Sequence, residues 1–201
     1  MFPGVRGISA VLSSHVQQPL TEDVVLDLAA VLDGLVGDDF EIIVADGPSD
    51  SLDSLLVRFP RLPLRILEAR DRDPAAGIGK AAYDLILLVS PDYAFDVREL
   101  NHFLEAVEHG ADLAIGYRAH NFKRFAGYLL GHVLFGKTAR DIDCPFKLFR
   151  RCVWQRTGMQ PRGADRWFST RLVVRARRLG FRVAELPVKQ VQRTRGALAI
   201  A

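Results

Sequence analysis

The stretch "LILLVSPDYAFDVREL", residues 85–100, contains the unit from which the rest of the fold is predicted. Its apolar start predicts a buried strand, and the polar turn that follows holds Asp92 and Asp96. Asp96 and Glu99 have the spacing of a capping box, which predicts a helix that ends at Gly110. The turn has two interpretations: a metal-binding carboxylate pair that has lost a member, or only the loop that starts the helix.

The same order of strand, turn and helix recurs along the chain. Short apolar runs occupy 7–12, 40–45, 64–69, 85–89 and 112–116. Helix-length segments separate most of them; the first has a capping Thr21, apolar residues at helical spacing and a terminal Gly37. This alternation predicts an α/β fold, with a mostly parallel central sheet and helices on both faces. Ligands of such sheets bind beyond the carboxyl ends of the strands.

Length and composition predict one globular domain, residues 1–201. With 49% hydrophobic and 25% charged residues, the chain can bury a sizeable core, which argues against disorder. Cys144 and Cys152 lack both a C-x-x-C spacing and histidines at zinc spacing, so we expect reduced thiols in the cytoplasm. No apolar run reaches the roughly 18 to 20 residues of a membrane span, and Met1–Arg6 is too short for a signal region.

Charge is distributed unevenly between the two parts of the chain. Residues 1–115 hold 8 Lys and Arg against 20 Asp and Glu, a net charge of −12, whereas residues 116–201 hold 19 against 4, a net charge of +15. A cationic half favours an anionic partner, although a solvated face is the plainer interpretation. Nothing beyond charge in "RRLGFR" (177–182) indicates a nucleic acid, so we expect no nucleic-acid partner.

The turns after the predicted strands are acidic rather than rich in glycine. Neither G-x-G-x-x-G nor G-K-[ST] is present, which argues against a dinucleotide-binding dehydrogenase and against a P-loop NTPase. Asp46 and Asp50 follow the second run, and Asp92 follows the fourth. A carboxylate there can accept a hydrogen bond from a base or hold Mg²⁺ or Mn²⁺ against a diphosphate. The stretch "DGPSD" (46–50) is also ordinary turn and helix-capping chemistry.

Taken in order, five stretches resemble the motifs of glycosyltransferase family 2, which includes dolichol-phosphate mannosyltransferases and bacterial polyprenyl-phosphate glycosyltransferases. They are "EIIVADGPSD" (41–50), "GIGKAAYDLILLVSPD" (77–92), "GADLAIGYR" (110–118), "RDIDCPFKLFRR" (140–151) and the C-terminal stretch 171–198. The resemblance implies a GT-A fold, with a nucleotide-sugar-binding half (1–115) and a basic acceptor-side half (116–201). It also implies transfer of a sugar, with inversion, from a UDP- or GDP-sugar to a polyprenyl phosphate or another acceptor.

The departures from the family's motifs fall at the donor site. Ala45 replaces the first Asp of the V-D-D motif, Ser90 replaces the first Asp of D-x-D, and Gln17 replaces a Glu. We therefore also consider a catalytically impaired relative that acts as a binding or scaffold protein.

The resemblance assigns roles to individual residues. The implied donor-binding residues are Ser13, His15, Gln17, Asp46 and Arg193. Asp92 would be the remaining metal ligand for Mg²⁺ or Mn²⁺, unless Lys and Arg neutralise the leaving diphosphate without metal.

On the acceptor side, Asp141 would be a base or an orienting group, and Arg118 and Arg124 would bind a lipid phosphate. The plainer interpretation of Asp141 is a structural ion pair with a neighbouring arginine. Segment 121–137 is basic at both ends and apolar between them, which is typical of a peripheral contact with the inner face of the membrane, or of an amphipathic helix packed on the sheet.

Overall fold

The computed structural model describes residues 6–13, 22–45, 50–67, 73–89, 96–118, 140–144, 146–160 and 167–189. The strands are β1 (Ile8–Leu12), β2 (Phe40–Val44), β3 (Leu64–Ile66), β4 (Leu85–Val89), β5 (Leu113–Arg118), β6 (Lys147–Arg150) and β7 (Val183–Val188). The α-helices are α1 (Glu22–Val36), α2 (Asp50–Arg58), α3 (Pro74–Lys80), α4 (Leu100–Glu108), α5 (Arg151–Thr157) and α6 (Phe168–Arg178). Among these residues, no helix is both long and apolar enough to span a membrane.

The seven strands form one sheet in the order β3-β2-β1-β4-β6-β5-β7. Every pairing is parallel except those of β6, which runs antiparallel to β4 and to β5. The predicted α/β fold with a mostly parallel sheet is confirmed. Strand β6 was not predicted, because its four residues "KLFR" carry a charge at each end and do not form an apolar run.

Helices cover the sheet on both faces, as its sequence pattern predicts. Successive residues of a strand point to opposite faces, so Leu87 packs in one apolar cluster and Leu88 in the other. One cluster includes buried residues of α1, α2 and α4, and the other includes buried residues of α3, α5 and α6. Burial on both faces explains why β4 is a continuous apolar run, and why β1 and β2 are apolar apart from Ser9 and Glu41, whose buried side chains hydrogen-bond to each other.

The described capping residues lie near the predicted positions, whereas Thr21, the predicted cap of α1, lies outside the described residues. The Asp96 side chain accepts a hydrogen bond of 3.1 Å from the backbone N–H of Arg98 and opens a short 3₁₀ turn, Val97–Glu99, that leads into α4. Gly37 and Gly110 follow α1 and α4 with φ of +64° and +94°, a left-handed conformation that favours glycine. The helix starting at Asp96 and the helix ends at Gly37 and Gly110 are thus confirmed.

Candidate active site at the carboxyl edge of the sheet

Four parallel strands end side by side at one edge of the sheet. The N–H of Ser13 donates to the carbonyl of Val89 at 3.2 Å, and the N–H of Ala45 donates to the carbonyl of Leu12 at 2.9 Å. The described ends of β1, β2 and β4 are therefore adjacent, and the segments that follow them in sequence lie outside the described residues. These segments contain most of the implied donor residues.

Of the five residues implied to bind the donor, Ser13 lies within the described part of the chain, and its side chain is buried at this edge. The other site residues predicted from the resemblance lie outside the described residues. They are His15, Gln17, Asp46, Asp92, Arg124 and Arg193, together with the segment 121–137. Their roles stay predictions.

Arg118 and Asp141 meet at the same edge of the sheet. Arg118 ends β5, and Asp141 lies in a turn (140–144) that precedes β6. Because β6 is antiparallel to β5, the start of β6 lies beside the end of β5, and the two residues come together across 23 positions. Nε of Arg118 donates to Oδ2 of Asp141 at 2.5 Å, and Nη2 donates to Oδ1 at 2.8 Å.

The geometry of this pair favours an orienting role for Asp141. The side chains of Arg118 and Asp141 are only 7% and 8% exposed, and both carboxylate oxygens accept from the same guanidinium. Such bidentate contacts are strong and fix the plane of the guanidinium. A carboxylate held in this way is poorly placed to take a proton from an acceptor. An ion pair with an arginine was the plainer interpretation of Asp141 in the sequence, and the structure shows such a pair with Arg118, which is 23 positions away rather than adjacent in sequence.

A buried lysine lies beside the pair and was missed by the sequence analysis. Lys147, the first residue of β6, has no exposed surface. Its Nζ donates to the carbonyl of Cys144 and, at 3.1 Å, to Oγ of Ser169 in α6. Burial removes water from the ammonium group and lowers the pKa of Lys147 to about 8, although Cys144, Asp141 and Asp143 act in the opposite direction. The sequence signal was a single Lys inside the apolar stretch "FKLF" (146–149).

The turn that carries Asp141 is also joined to α6. Oγ1 of Thr170 donates to Oδ1 of Asp143 at 2.5 Å, next to the contact between Lys147 and Ser169. Strand β5 approaches the turn closely: a Cβ placed on Gly116 would lie 2.9 Å from Sγ of Cys144. Strands β5 and β6 and helix α6 thus hold the turn from three sides.

Position 45, where the resembled motif has an aspartate, is closed by apolar packing. Ala45 is 1% exposed and belongs to the same cluster as Val11 and Ile78. Helix α3 approaches so closely that a Cβ placed on Gly77 would lie 3.5 Å from Cβ of Ala45 and 2.6 Å from Cγ1 of Val11. Apolar side chains of the core therefore surround position 45, where the resembled motif has a carboxylate, and these contacts leave no open polar pocket around it.

No group of three or more His, Cys, Asp or Glu side chains in the described part of the chain could hold a metal ion. Asp141, which the resemblance assigns to the acceptor side, forms an ion pair with Arg118. The predicted metal site thus depends on Asp92, which lies outside these residues.

Helices α5 and α6 contribute much of the positive charge of the C-terminal half. Together they carry six arginines and no acidic residue. In these helices, Arg151 lies 3.6 Å from Asp84, and Arg177 lies 2.7 Å from Glu185 of β7.

Comparison with solved structures shows the fold. The chain aligns with glucosyl-3-phosphoglycerate synthase from Mycobacterium tuberculosis in complex with Mn²⁺ and UDP-glucose, with a TM-score of 0.64 and 13% identity over 94% of this chain and 72% of that one. The complex of the same enzyme with Mn²⁺, UDP and phosphoglyceric acid aligns with a TM-score of 0.64 and 16% identity, again over 94% and 72% of the two chains. The chain has the GT-A fold.

Sequence comparison adds one curated relative. Over 202 residues the chain is 29% identical to glycosyltransferase AglD of Haloferax volcanii. The alignment covers 90% of this chain and 32% of AglD, so the chain spans about a third of the length of that relative. No family model matches the chain.

Proposed function

We propose that this chain is a glycosyltransferase domain that moves a sugar from a UDP- or GDP-sugar to a phosphate-bearing acceptor, with polyprenyl phosphate as the first candidate. The GT-A fold and the similarity to AglD support the reaction class. The observation that carries the acceptor class is the buried Arg118–Asp141 pair at the carboxyl edge of the sheet.

The hydrogen bonds of Asp141 support a phosphate as the acceptor. An acceptor hydroxyl must lose a proton during transfer, so it needs a base, whereas a phosphate is already an anion and needs none. Both oxygens of Asp141 accept from Arg118, which suits an orienting carboxylate and an acceptor that requires no base. Arg118, held in a fixed plane, would then face the acceptor phosphate, with Arg124 as a second candidate.

In the proposed reaction, an acceptor phosphate oxygen forms a bond to the anomeric carbon as the bond from that carbon to the diphosphate breaks. The bonding electrons leave with UDP or GDP, so negative charge builds on the diphosphate and must be stabilised. A divalent cation would supply that charge, with Asp92 as its proposed ligand and Arg193 as a further cation. Ser13, His15, Gln17 and Asp46 are the proposed contacts to the donor in the half 1–115.

Structures of the M. tuberculosis synthase support this proposal by analogy. That enzyme has been solved with Mg²⁺ and UDP, and with Mn²⁺, UDP-glucose and glycerol 3-phosphate. A phosphate-bearing acceptor thus occurs on the same fold. We further propose a cytoplasmic protein that contacts the inner face of the membrane through 121–137, where a lipid phosphate would be presented.

A binding or scaffold protein without catalysis is the second candidate, and the closed position 45 favours it. A buried alanine in the apolar cluster leaves no space there for a polar donor contact. The acceptor-side pair would persist in such a protein, because it does not depend on the donor motifs.

A thermal-shift panel of UDP, GDP and their sugar conjugates, with and without Mn²⁺ or Mg²⁺, distinguishes the two. A ligand at about 100 times its Kd stabilises the native state by roughly 2.7 kcal/mol, which a melting curve resolves. The transferase predicts a shift with one nucleotide that grows with metal, disappears in Asp92→Ala and survives in Asp96→Ala, a helix-cap control. A flat panel at millimolar ligand would reject the transferase and leave the binding protein.

A further inference from the structure

Lys147 is a buried charge that packing alone does not require. The side chain has no exposed surface and lies in the middle strand of three, opposite Leu88 of β4 and Ile115 of β5. A methionine or leucine would fill the same volume without placing an ammonium group away from water. Replacing a buried charge by an apolar side chain of similar volume is often neutral or stabilising. A role beyond packing is therefore needed to explain the lysine.

Lys147 connects the turn that carries Asp141 to helix α6. Its Nζ donates to the carbonyl of Cys144, whose own N–H donates to the carbonyl of Asp141 at 3.0 Å. The second contact, 3.1 Å to Oγ of Ser169, attaches the lysine to the first turn of α6. One ammonium group thus joins the last residue of the turn to a helix.

The orientation of Asp141 depends on this turn. The two contacts to Arg118, at 2.5 and 2.8 Å, form together only if the carboxylate of Asp141 has the right position and lies close to the plane of the guanidinium. The backbone N–H of Arg118 also lies 3.4 Å from Oδ2 of Asp141. A shift of the turn away from β5 would lengthen all three contacts together.

We propose that Lys147 is a positioning residue that fixes the turn 140–144, so that Asp141 presents both oxygens to Arg118. Lys147 does not touch a substrate in this arrangement and acts only through Asp141. The inference rests on the proposed function only where Arg118 is taken to bind an acceptor phosphate. The contacts themselves exist without a ligand and can be tested without one.

The test is hydrogen exchange at the Arg118 Nε–H, followed by ¹⁵N NMR in the full chain without ligand. The resonance is assigned by its loss in Arg118→Lys. In Lys147→Met, which keeps chain length but has no donor, we expect this proton to exchange about tenfold faster, the effect of losing one net hydrogen bond. Lys147→Gln keeps a donor and should restore part of the protection. Lys80→Met makes the same chemical change at an exposed helix end and should leave exchange unchanged.

The melting temperature of Lys147→Met distinguishes a positioning role of the lysine from a purely structural one. Positioning predicts that Lys147→Met melts at or above the wild-type temperature at pH 7 while the Arg118 proton loses protection. If melting falls and core amides exchange faster in parallel with it, the lysine is merely structural and the proposal is wrong. Unchanged exchange in Lys147→Met also overturns it. Ser169→Ala removes one partner of the amine and provides a second, milder variant for the same measurement.

These outcomes are independent of catalysis. A protein that binds no nucleotide sugar can still show the exchange effect, which would preserve the positioning role while the proposed function fails. Where transfer is measurable, with glycerol 3-phosphate as the acceptor probe, Lys147→Met should raise the KM for that acceptor and leave the KM for the donor unchanged. Equal changes in both would contradict a role that acts through Arg118.

Discussion

Arg118 and Asp141 form a bidentate pair with contacts of 2.5 and 2.8 Å, and less than a tenth of either side chain is exposed. Removing one partner of a buried pair leaves the other as an uncompensated charge. We expect Asp141→Ala to lower the free energy of unfolding by about 3 to 5 kcal/mol. Urea denaturation at pH 7 would measure the change.

Asp96→Ala is the matched control for that prediction. Asp96 caps a helix at an accessible site, so its loss should cost only about 1 kcal/mol. If Asp141→Ala costs no more than Asp96→Ala, the Arg118–Asp141 contact is weak in solution, and the acceptor site proposed on it loses its basis.

The pKa of Lys147 gives stability a specific pH dependence. Burial lowers the pKa of Lys147 from its ordinary value of 10.5 to about 8 in the folded chain, so between these two pH values the unfolded chain binds more protons. Stability from this group therefore rises as the pH increases from about 8 to 10.5, by roughly 3 kcal/mol in all. Below pH 8 the charged lysine contributes a constant penalty.

The difference in unfolding free energy between wild type and Lys147→Met, measured from pH 7 to 10, isolates this group from other titrating residues. It should change in favour of wild type as the pH increases. A difference that stays constant across the range would mean that Lys147 titrates normally and is hydrated in solution.

Gly116 and Cys144 approach too closely for a side chain on the glycine. A Cβ there would lie 2.9 Å from Sγ of Cys144 and 3.1 Å from both methyl groups of Val188. We expect Gly116→Ala to destabilise the chain by about 1 to 3 kcal/mol, the usual cost of overpacking. Thermal and urea unfolding would measure it.

A double-mutant cycle with Cys144→Ala tests the cause. Removing the sulfur makes room for the new methyl group, so the two changes together should cost less than the sum of the single costs, by about 0.5 kcal/mol or more. Additive costs would assign the effect of Gly116→Ala to Val188 instead.

Placing at position 45 the aspartate of the resembled motif should damage the fold. Ala45 is buried among apolar side chains, so Ala45→Asp places a carboxylate where no solvent reaches it. We expect a loss of at least about 2 kcal/mol of stability and no gain in nucleotide-sugar binding. Melting curves with and without UDP-glucose and Mn²⁺ give both quantities, and Ala45→Ser is the uncharged control.

The opposite result would be informative. If Ala45→Asp folds with unchanged stability and binds the donor more tightly, the edge of the sheet beside α3 opens readily. The binding-protein alternative would then lose the observation that favours it.

Local patterns in the sequence were enough to predict most of the sheet. Strand β4 is an apolar run, and β1 and β2 are apolar except for Ser9 and Glu41, because both faces of these strands are buried. A run of this kind is visible in the sequence without knowledge of the neighbouring strands. The ends of α1 at Gly37 and of α4 at Gly110 were also predictable, because glycine readily adopts the positive φ that terminates a helix. These features depend on contacts within a few residues.

The site was only partly predictable, because its contacts join distant parts of the chain. The resemblance implied an acceptor-side role for Arg118 and Asp141, which stays a prediction. Their pairing depends on β6 entering the sheet antiparallel between β4 and β5. The same insertion buries Lys147 and brings it to Ser169, 22 residues away. Sequence alone thus determined the α/β architecture and the residues to examine. Tertiary structure decided which charges meet, because strand order and burial are set by packing across the whole sheet.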